Sequence, residues 1–144
     1  MSDFRFLTSL RVYWRDVDML GHVNNAVYAS YLEAARIDFN EAAIGEEGFR
    51  RWSYLIGELR MRYVSPAYLR ETLEIGIRLP SIGRRSFRFE YLVREATTGR
   101  VVVEAESTQV MVDLATGKSR DIPDDFRSAI EAFQGGPVED TRGV

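Results

Sequence analysis

Apolar residues fall on alternate positions in five stretches of the chain and at helical spacing in one. Phe4, Phe6, Leu10, Val12 and Trp14 share one parity in FRFLTSLRVYW, residues 4–14. That is the period-two pattern of a half-buried strand. The same pattern runs through Leu55, Leu59, Met61 and Tyr63 against Glu58, Arg60 and Arg62. It returns through Leu73, Ile75, Ile77 and Leu79, and again through Phe87, Phe89, Tyr91 and Val93. Residues 100–113 begin with Val101, Val103 and Ala105 on one parity and end with Val110 and Val112 on the other. A bulge near Ser107–Gln109 would reconcile the two halves.

Residues 26–44, AVYASYLEAARIDFNEAAI, predict a helix. Asn24 or Asn25 can cap its start, and Gly45 stands where a stop is expected. Its apolar positions (Val27, Tyr28, Tyr31, Leu32, Ala35, Ile37, Phe39, Ala42) nearly encircle the axis. Glu33, Arg36 and Asn40 are left as a narrow polar stripe, so the helix is expected to be buried on most sides. Residues 15–25 read as a loop and residues 46–53 as a polar connection. SIGRR, EATTGR and ATGK are short and contain Gly, so the strands they join should pair as antiparallel hairpins. Pro123 opens a short helix near 124–133, and GGPVEDTRGV is expected to be a mobile tail. The sum is an α+β domain over residues 1–134, with a curved antiparallel β-sheet wrapped around one long central α-helix, and a flexible tail over 135–144. The outer face of the sheet must meet water or a partner subunit.

Composition narrows the function. The chain has 144 residues, 45% of them hydrophobic and 28% charged, enough for one core. It has no Cys, which removes thiol nucleophiles, disulfides and thiolate metal sites together. One His leaves few ligands for a catalytic zinc, so no metal and no organic cofactor are expected. Neither a membrane-length apolar run nor a secretory signal is visible, and a cytoplasmic protein is expected. A net charge of −3 argues against nucleic-acid binding. The charge is uneven, however. Residues 50–88 hold nine Arg and three Glu, and 18 of the 19 basic side chains are Arg. Arginine suits bidentate contact with phosphate or carboxylate, which leaves room for a small anionic ligand.

The densest polar chemistry stands just ahead of the helix, in DVDMLGHVNNAVY, residues 16–28. YWRDVDMLGHVNNAVYASYLEAAR resembles the hot-dog-fold thioesterases, closest to the 4-hydroxybenzoyl-CoA thioesterase-like branch, whose members read approximately D-x-D-x-x-G-H-V-N-N-x-x-Y at this point. RYVSPAYLRETLEI and GRRSFRFEYLV are also similar to that branch, and the resemblance spans nearly residues 4–134. Leu69-Arg70-Glu71 departs from it, since many relatives carry a Gly-Asp pair there. A changed turn is expected, with no catalytic group lost.

The resemblance implies hydrolysis of an acyl-CoA, or of an acyl thioester on acyl carrier protein. Such chemistry needs an activated attacker and a held oxyanion. It places the catalytic carboxylate at Asp18, as general base or nucleophile, with Asp16 as the alternative or as a cap of the loop. The oxyanion donor would be the backbone N–H of Asn25, or of its neighbour Ala26, where the helix dipole adds positive potential. His22 is a candidate base or a brace for the loop. Asn24 and Asn25 are helix caps or orient water and the thioester oxygen. Tyr28 and Tyr31 are core or pocket-wall aromatics, and Glu33 pairs with Arg36 or lines the pocket. Arg84, Arg85 and Ser86, at a hairpin start, are the expected partners of the CoA phosphates. The resemblance also implies a homodimer or homotetramer.

Two other functions compete. A hydroxyacyl dehydratase on this fold would carry H-x-x-x-x-G-x-x-x-x-P, but Val27 stands where that Gly belongs. A module that binds acyl-CoA without cleaving it needs the same surface and no attacker. The identity of the acyl group is not legible.

Overall fold

The computed structural model describes residues 4–143. In chain order it contains β1 (Phe6–Arg11), a 3-10 turn (Trp14–Asp16), α1 (Val27–Ala43), α2 (Gly45–Arg51) and β2 (Tyr54–Tyr63). There follow β3 (Thr72–Ile82), β4 (Ser86–Glu95), β5 (Val101–Asp113), β6 (Lys118–Ser119), α3 (Asp124–Gln134) and β7 (Glu139–Asp140). The strands make one sheet in the order β1-β3-β4-β5-β2, with β6 on β5 and β7 on β3. This is the α+β arrangement expected. β1 runs antiparallel to β3, with Phe6 opposite Ile77 and Leu10 opposite Leu73. Tight turns join β3 to β4 and β4 to β5, closed by Gly83 N–H to Ser86 O and by Glu95 N–H to Arg100 O. β2 lies at an edge and exposes Leu55 and Ile56. An edge with apolar side chains is what the expected homodimer or homotetramer would cover.

The chain divides into two compact units, each with its own core. One comprises the residues as far as Asp38 together with Met61–Ile77 and Tyr91–Ala105. Here Leu32 and Ala35 of α1 are buried, as are Leu73, Ile75, Tyr91 and Val93 of the strands. The other comprises Phe39–Arg60, Arg78–Glu90 and the residues from Glu106 onward. Its core is aromatic. Phe39 meets Phe89 edge-on at 5.2 Å between ring centres, Tyr54 meets Phe87 edge-on at 5.2 Å, and Phe126 meets Trp52 edge-on at 5.5 Å.

Several expectations are corrected. Arg36 and Asn40 are buried, not solvated: Arg36 donates to the Tyr91 hydroxyl and Asn40 to the Tyr54 hydroxyl. Ile37 takes the exposed position instead, at 51% exposure, and Glu33 is exposed with no bond to Arg36. α1 therefore buries one face. Trp14, expected inward, is 77% exposed, because the 3-10 turn breaks the strand's parity at that residue. The polar connection after Gly45 is a helix, α2, with Glu46 and Glu47 in its first turn, Arg50 and Arg51 in its last, and an Arg50–Glu46 ion pair at 2.7 Å. In β5 the buried parity runs straight through residues 103, 107, 109 and 111. Ser107 and Gln109 occupy inward positions and bond each other, so no change of face is needed.

The residues expected as a free tail are tied back. β1 covers β3 only as far as Ile77. Beyond that point the Gln134 side chain accepts from Leu79 N–H and donates to Leu79 O, and β7 pairs in parallel with Ser81 and Ile82. Backbone groups on an open edge need partners, and the C-terminal segment supplies them.

The β4–β5 turn carries a pH prediction. The Glu95 carboxylate accepts the N–H groups of Thr97 and Thr98 and the Thr98 hydroxyl, each at 2.8 Å. These bonds hold its pKa down from 4.5 to about 2. The folded value lies below the unfolded one, so this stabilisation is complete above pH 4.5 and is lost as the pH falls toward 2. Denaturant midpoints measured across that window should fall for the wild type. Glu95→Gln should flatten the slope, and an unchanged slope would contradict the assignment.

Candidate active site

Residues 16–24 form a miniature hairpin. Asp18 N–H donates to His22 O, Gly21 N–H to Asp18 O, and Asn24 N–H to Asp16 O, while Val17 pairs with Val23. Gly21 closes the turn at φ +89°, a conformation glycine adopts freely. The Asp18 Oδ1 accepts Leu20 N–H at 2.9 Å. An aspartate bonding the backbone two residues on is a local turn device, and here it fixes the carboxylate. The hairpin is docked on the segment after β2 by Val23 N–H to Ala67 O and by pairing of His22 with Tyr68. The spacing D-x-x-G-H therefore has a mechanical reading: acceptor, two turn residues, the glycine that turns back, and the residue whose carbonyl closes the pair.

Asp18, His22, Asn25 and Tyr28 come together in one cleft of about 320 Å³, with Val23 and residues 63–66 as the other walls. Asp18 and His22 are half-buried and Tyr28 is buried. The cleft opens at the start of α1. Ala26 N–H donates to Asn24 Oδ1 at 3.0 Å, so Asn24 is the helix cap and the Ala26 amide is occupied. Among the described residues the Asn25 N–H donates to no acceptor, while its carbonyl accepts the Tyr63 hydroxyl at 3.1 Å. One free amide thus stands ahead of a 17-residue helix, on the wall of the cleft that holds Asp18.

The second aspartate does different work. Asp16 Oδ2 accepts the Tyr31 hydroxyl at 2.8 Å and Tyr13 N–H at 3.1 Å. Burial and then this bond push the Tyr31 phenol well above its ordinary pKa. Asp16 is a brace of the loop and does not line the cleft. The Tyr28 hydroxyl accepts Ala67 N–H at 3.3 Å, and burial raises its pKa as well. The His22 ring packs edge-on to Tyr68 at 6.1 Å.

Arg84, Arg85 and Ser86 line another cleft, of about 480 Å³, with Gly83, Thr141 and Arg142. Asp121 holds both arginines: Arg85 Nε donates to it at 2.8 Å and Arg84 lies 3.3 Å away. Tyr63, Val64, Ser65 and Pro66 were missed as site residues. Their signal was the strand break at Pro66 within RYVSPAYL. In the Leu69-Arg70-Glu71 turn Arg70 sits at φ +72°, where glycine is unstrained and another residue gives up on the order of 1–2 kcal/mol.

Among the described residues no helix is long and apolar enough to cross a membrane. A family model described as the thioesterase-like superfamily matches residues 12–130. The chain is 28% identical over 130 residues to the long-chain acyl-CoA thioesterase FadM of Escherichia coli, covering 86% of this chain and 96% of that one. It is 30% identical over 137 residues to the chloroplastic acyl-acyl carrier protein thioesterase ATL3 of Arabidopsis thaliana, covering 92% and 70%. In structure it is similar to a thioesterase from Thermus thermophilus crystallised with coenzyme A and zinc, with a TM-score of 0.85, 30% identity, and coverage of 96% of this chain and 100% of that one.

Proposed function

The chain belongs to the thioesterase-like superfamily, with the hot-dog fold and the thioester-hydrolase activity of that family, and we propose that it hydrolyses acyl-CoA in the Asp18–Asn25 cleft. The observation that carries the reading is the pairing, on one cleft, of a fixed carboxylate with an unoccupied amide at the start of a helix. The relatives are thioesterases by name, and that chemistry needs those two groups.

The thioester carbonyl carbon lies between the two. Asp18 takes a proton from water as the water oxygen bonds that carbon, or bonds the carbon itself. The carbonyl electrons move onto oxygen, where the Asn25 N–H and the positive end of α1 hold them. Collapse breaks the C–S bond and releases the CoA thiolate. An ordinary thiol has a pKa of about 8.5, so it departs without a strong acid. If Asp18 attacked directly, water then cleaves the mixed anhydride and frees the carboxylate. His22 acts as a positioning residue: its carbonyl holds the Asp18 amide and its ring closes one wall. Asn24 secures the helix start, and Tyr28 walls the acyl side.

The test is a panel of short, long, branched and aromatic acyl-CoAs, read by appearance of free thiol. Release of CoA from at least one class at an enzymatic rate is expected. Binding of acyl-CoA with no thiol release across the panel would turn the reading toward a module that holds the thioester uncleaved.

A further inference from the structure

We infer that Tyr63 is a positioning residue for the oxyanion donor: its hydroxyl, bonded to the Asn25 carbonyl, holds the Asn25 amide in place on the wall of the Asp18 cleft. The inference rests on the thioester-hydrolase reading and concerns how the amide is kept aimed before charge develops.

The amide belongs to a short turn that is otherwise fully bonded. Val27 N–H donates to Asn24 O at 2.9 Å, and Ala26 N–H to Asn24 Oδ1 at 3.0 Å. Both bonds are internal to residues 24–27, so they set the shape of the turn and not its place. Two bonds from outside the helix fix the place. Asn24 N–H reaches back to Asp16 O at 2.9 Å, on the hairpin that carries Asp18. The Tyr63 hydroxyl donates to Asn25 O at 3.1 Å from the last residue of β2.

A peptide unit is planar and moves as a whole. The Asn25 Cα joins the unit whose carbonyl Tyr63 holds to the unit that carries the unoccupied N–H. Pinning the first limits rotation of the second. Without the hydroxyl the turn is anchored on the Asp16 side alone. A donor that must reorganise as the oxyanion forms stabilises it less than one already aimed.

Tyr63 is itself held. Arg62, the residue before it, pairs with Glu104 at 2.6 Å, and Val64, the residue after it, donates its N–H to Val102 O at 2.9 Å. Its ring lies against that of Tyr28 at 5.7 Å between centres, tilted by 52°. Tyr28 is buried, and its hydroxyl accepts Ala67 N–H. The phenol therefore reaches the turn from a fixed strand end and a fixed ring.

Other roles fit less well. As a cleft wall alone phenylalanine would serve, and the hydroxyl would be idle. As an acid, Tyr63 would give up a proton already donated to Asn25 O, for a thiolate that leaves without one. As a prop for the fold the bond contributes little, because Tyr63 is 48% exposed and water can replace it.

The experiment compares wild type, Tyr63→Phe, Asn25→Pro and the double variant on the acyl-CoA the wild type cleaves fastest. Tyr63→Phe should lower kcat roughly tenfold, near the most that one intramolecular hydrogen bond carries, with KM within about twofold and the melting temperature within a few degrees. In the Asn25→Pro background the same change should cost less than about twofold, because the amide that the hydroxyl aims is gone. Equal loss in both backgrounds would mean that the hydroxyl meets the substrate itself, and would overturn the proposal. So would a wild-type kcat for Tyr63→Phe, or a loss confined to KM. The amide can also be read without turnover. The ¹⁵N order parameter of Asn25 should be about 0.85 in the wild type, the value of rigid backbone, and fall toward about 0.6 in Tyr63→Phe. An unchanged order parameter would overturn the proposal as well. If the wild type releases CoA from no substrate, the hydrolase reading fails on its own, and the order parameter alone decides whether Tyr63 holds the amide.

Discussion

Asp18→Asn is expected to lower kcat for acyl-CoA hydrolysis by about 10²–10⁴-fold, the range a positioned acid–base group supplies. The substitution is informative because of what it leaves alone. Asp18 Oδ1 accepts Leu20 N–H at 2.9 Å, and an asparagine carbonyl in the same place accepts it equally. The turn through Gly21 and the bonds from Asp18 N–H and Gly21 N–H are backbone features and survive. The loop should stand, the melting temperature should hold within a few degrees, and KM should move little, while the group that activates water or attacks carbon is gone. Asp18→Ala removes the turn acceptor as well, so it should lose stability in addition to activity. Single-turnover hydrolysis in H₂¹⁸O tests for direct attack. Water that opens a mixed anhydride at the Asp18 carbonyl leaves the label in Asp18 and passes unlabelled oxygen to the first product, so label in Asp18 identifies the nucleophile, whereas a general base, or water attack at the acyl carbon, leaves Asp18 unlabelled. A folded Asp18→Asn that releases CoA at the wild-type rate would remove this carboxylate from the mechanism, and Asp16 could not replace it. That group is engaged by Tyr31 and Tyr13 and stands outside the cleft.

The strands were legible wherever one face alone is buried. β4 alternates without a fault from Ser86 to Glu95, and its sequence period reads the same way. The loop chemistry was legible because a tight turn demands particular residues at fixed offsets: Asp18, Gly21 and His22 are local to one another. What stayed hidden depends on partners distant in the chain. Arg36 reads as a solvated stripe until Tyr91, 55 residues later, accepts its hydrogen bond. Glu139 and Asp140 read as a tail until the uncovered edge of β3 requires them. Periodicity reports which face a side chain occupies and says nothing about a buried polar group with a remote bond. For the same reason the walls at residues 63–66 escaped notice. They belong to the cleft through packing and through the bond from the Tyr63 hydroxyl to the Asn25 carbonyl, 38 residues away in the chain.

Asn25→Pro is the sharper test of the other half of the site. An oxyanion donor that belongs to the backbone cannot be deleted by trimming a side chain, but proline removes the N–H itself. At this position the change sacrifices no native bond, because the Asn25 amide has no acceptor among the described residues. It stands two residues ahead of Val27, where α1 begins, and proline is tolerated at the entrance of a helix. The Asn25 carbonyl remains to accept the Tyr63 hydroxyl, and the Asn24 cap on Ala26 is untouched. Losing one preorganised oxyanion donor typically reduces kcat by about 10²–10³-fold, or roughly 3–4 kcal/mol of barrier. Asn25→Ala keeps the amide and reports whatever the side chain contributes, so the ratio of the two variants isolates the N–H. The proline variant should retain acyl-CoA binding and a melting temperature near that of the alanine variant while falling about a hundredfold or more below it in kcat. Equal turnover by the two folded variants would mean that the developing charge is held elsewhere, and the helix end would lose its place in the mechanism.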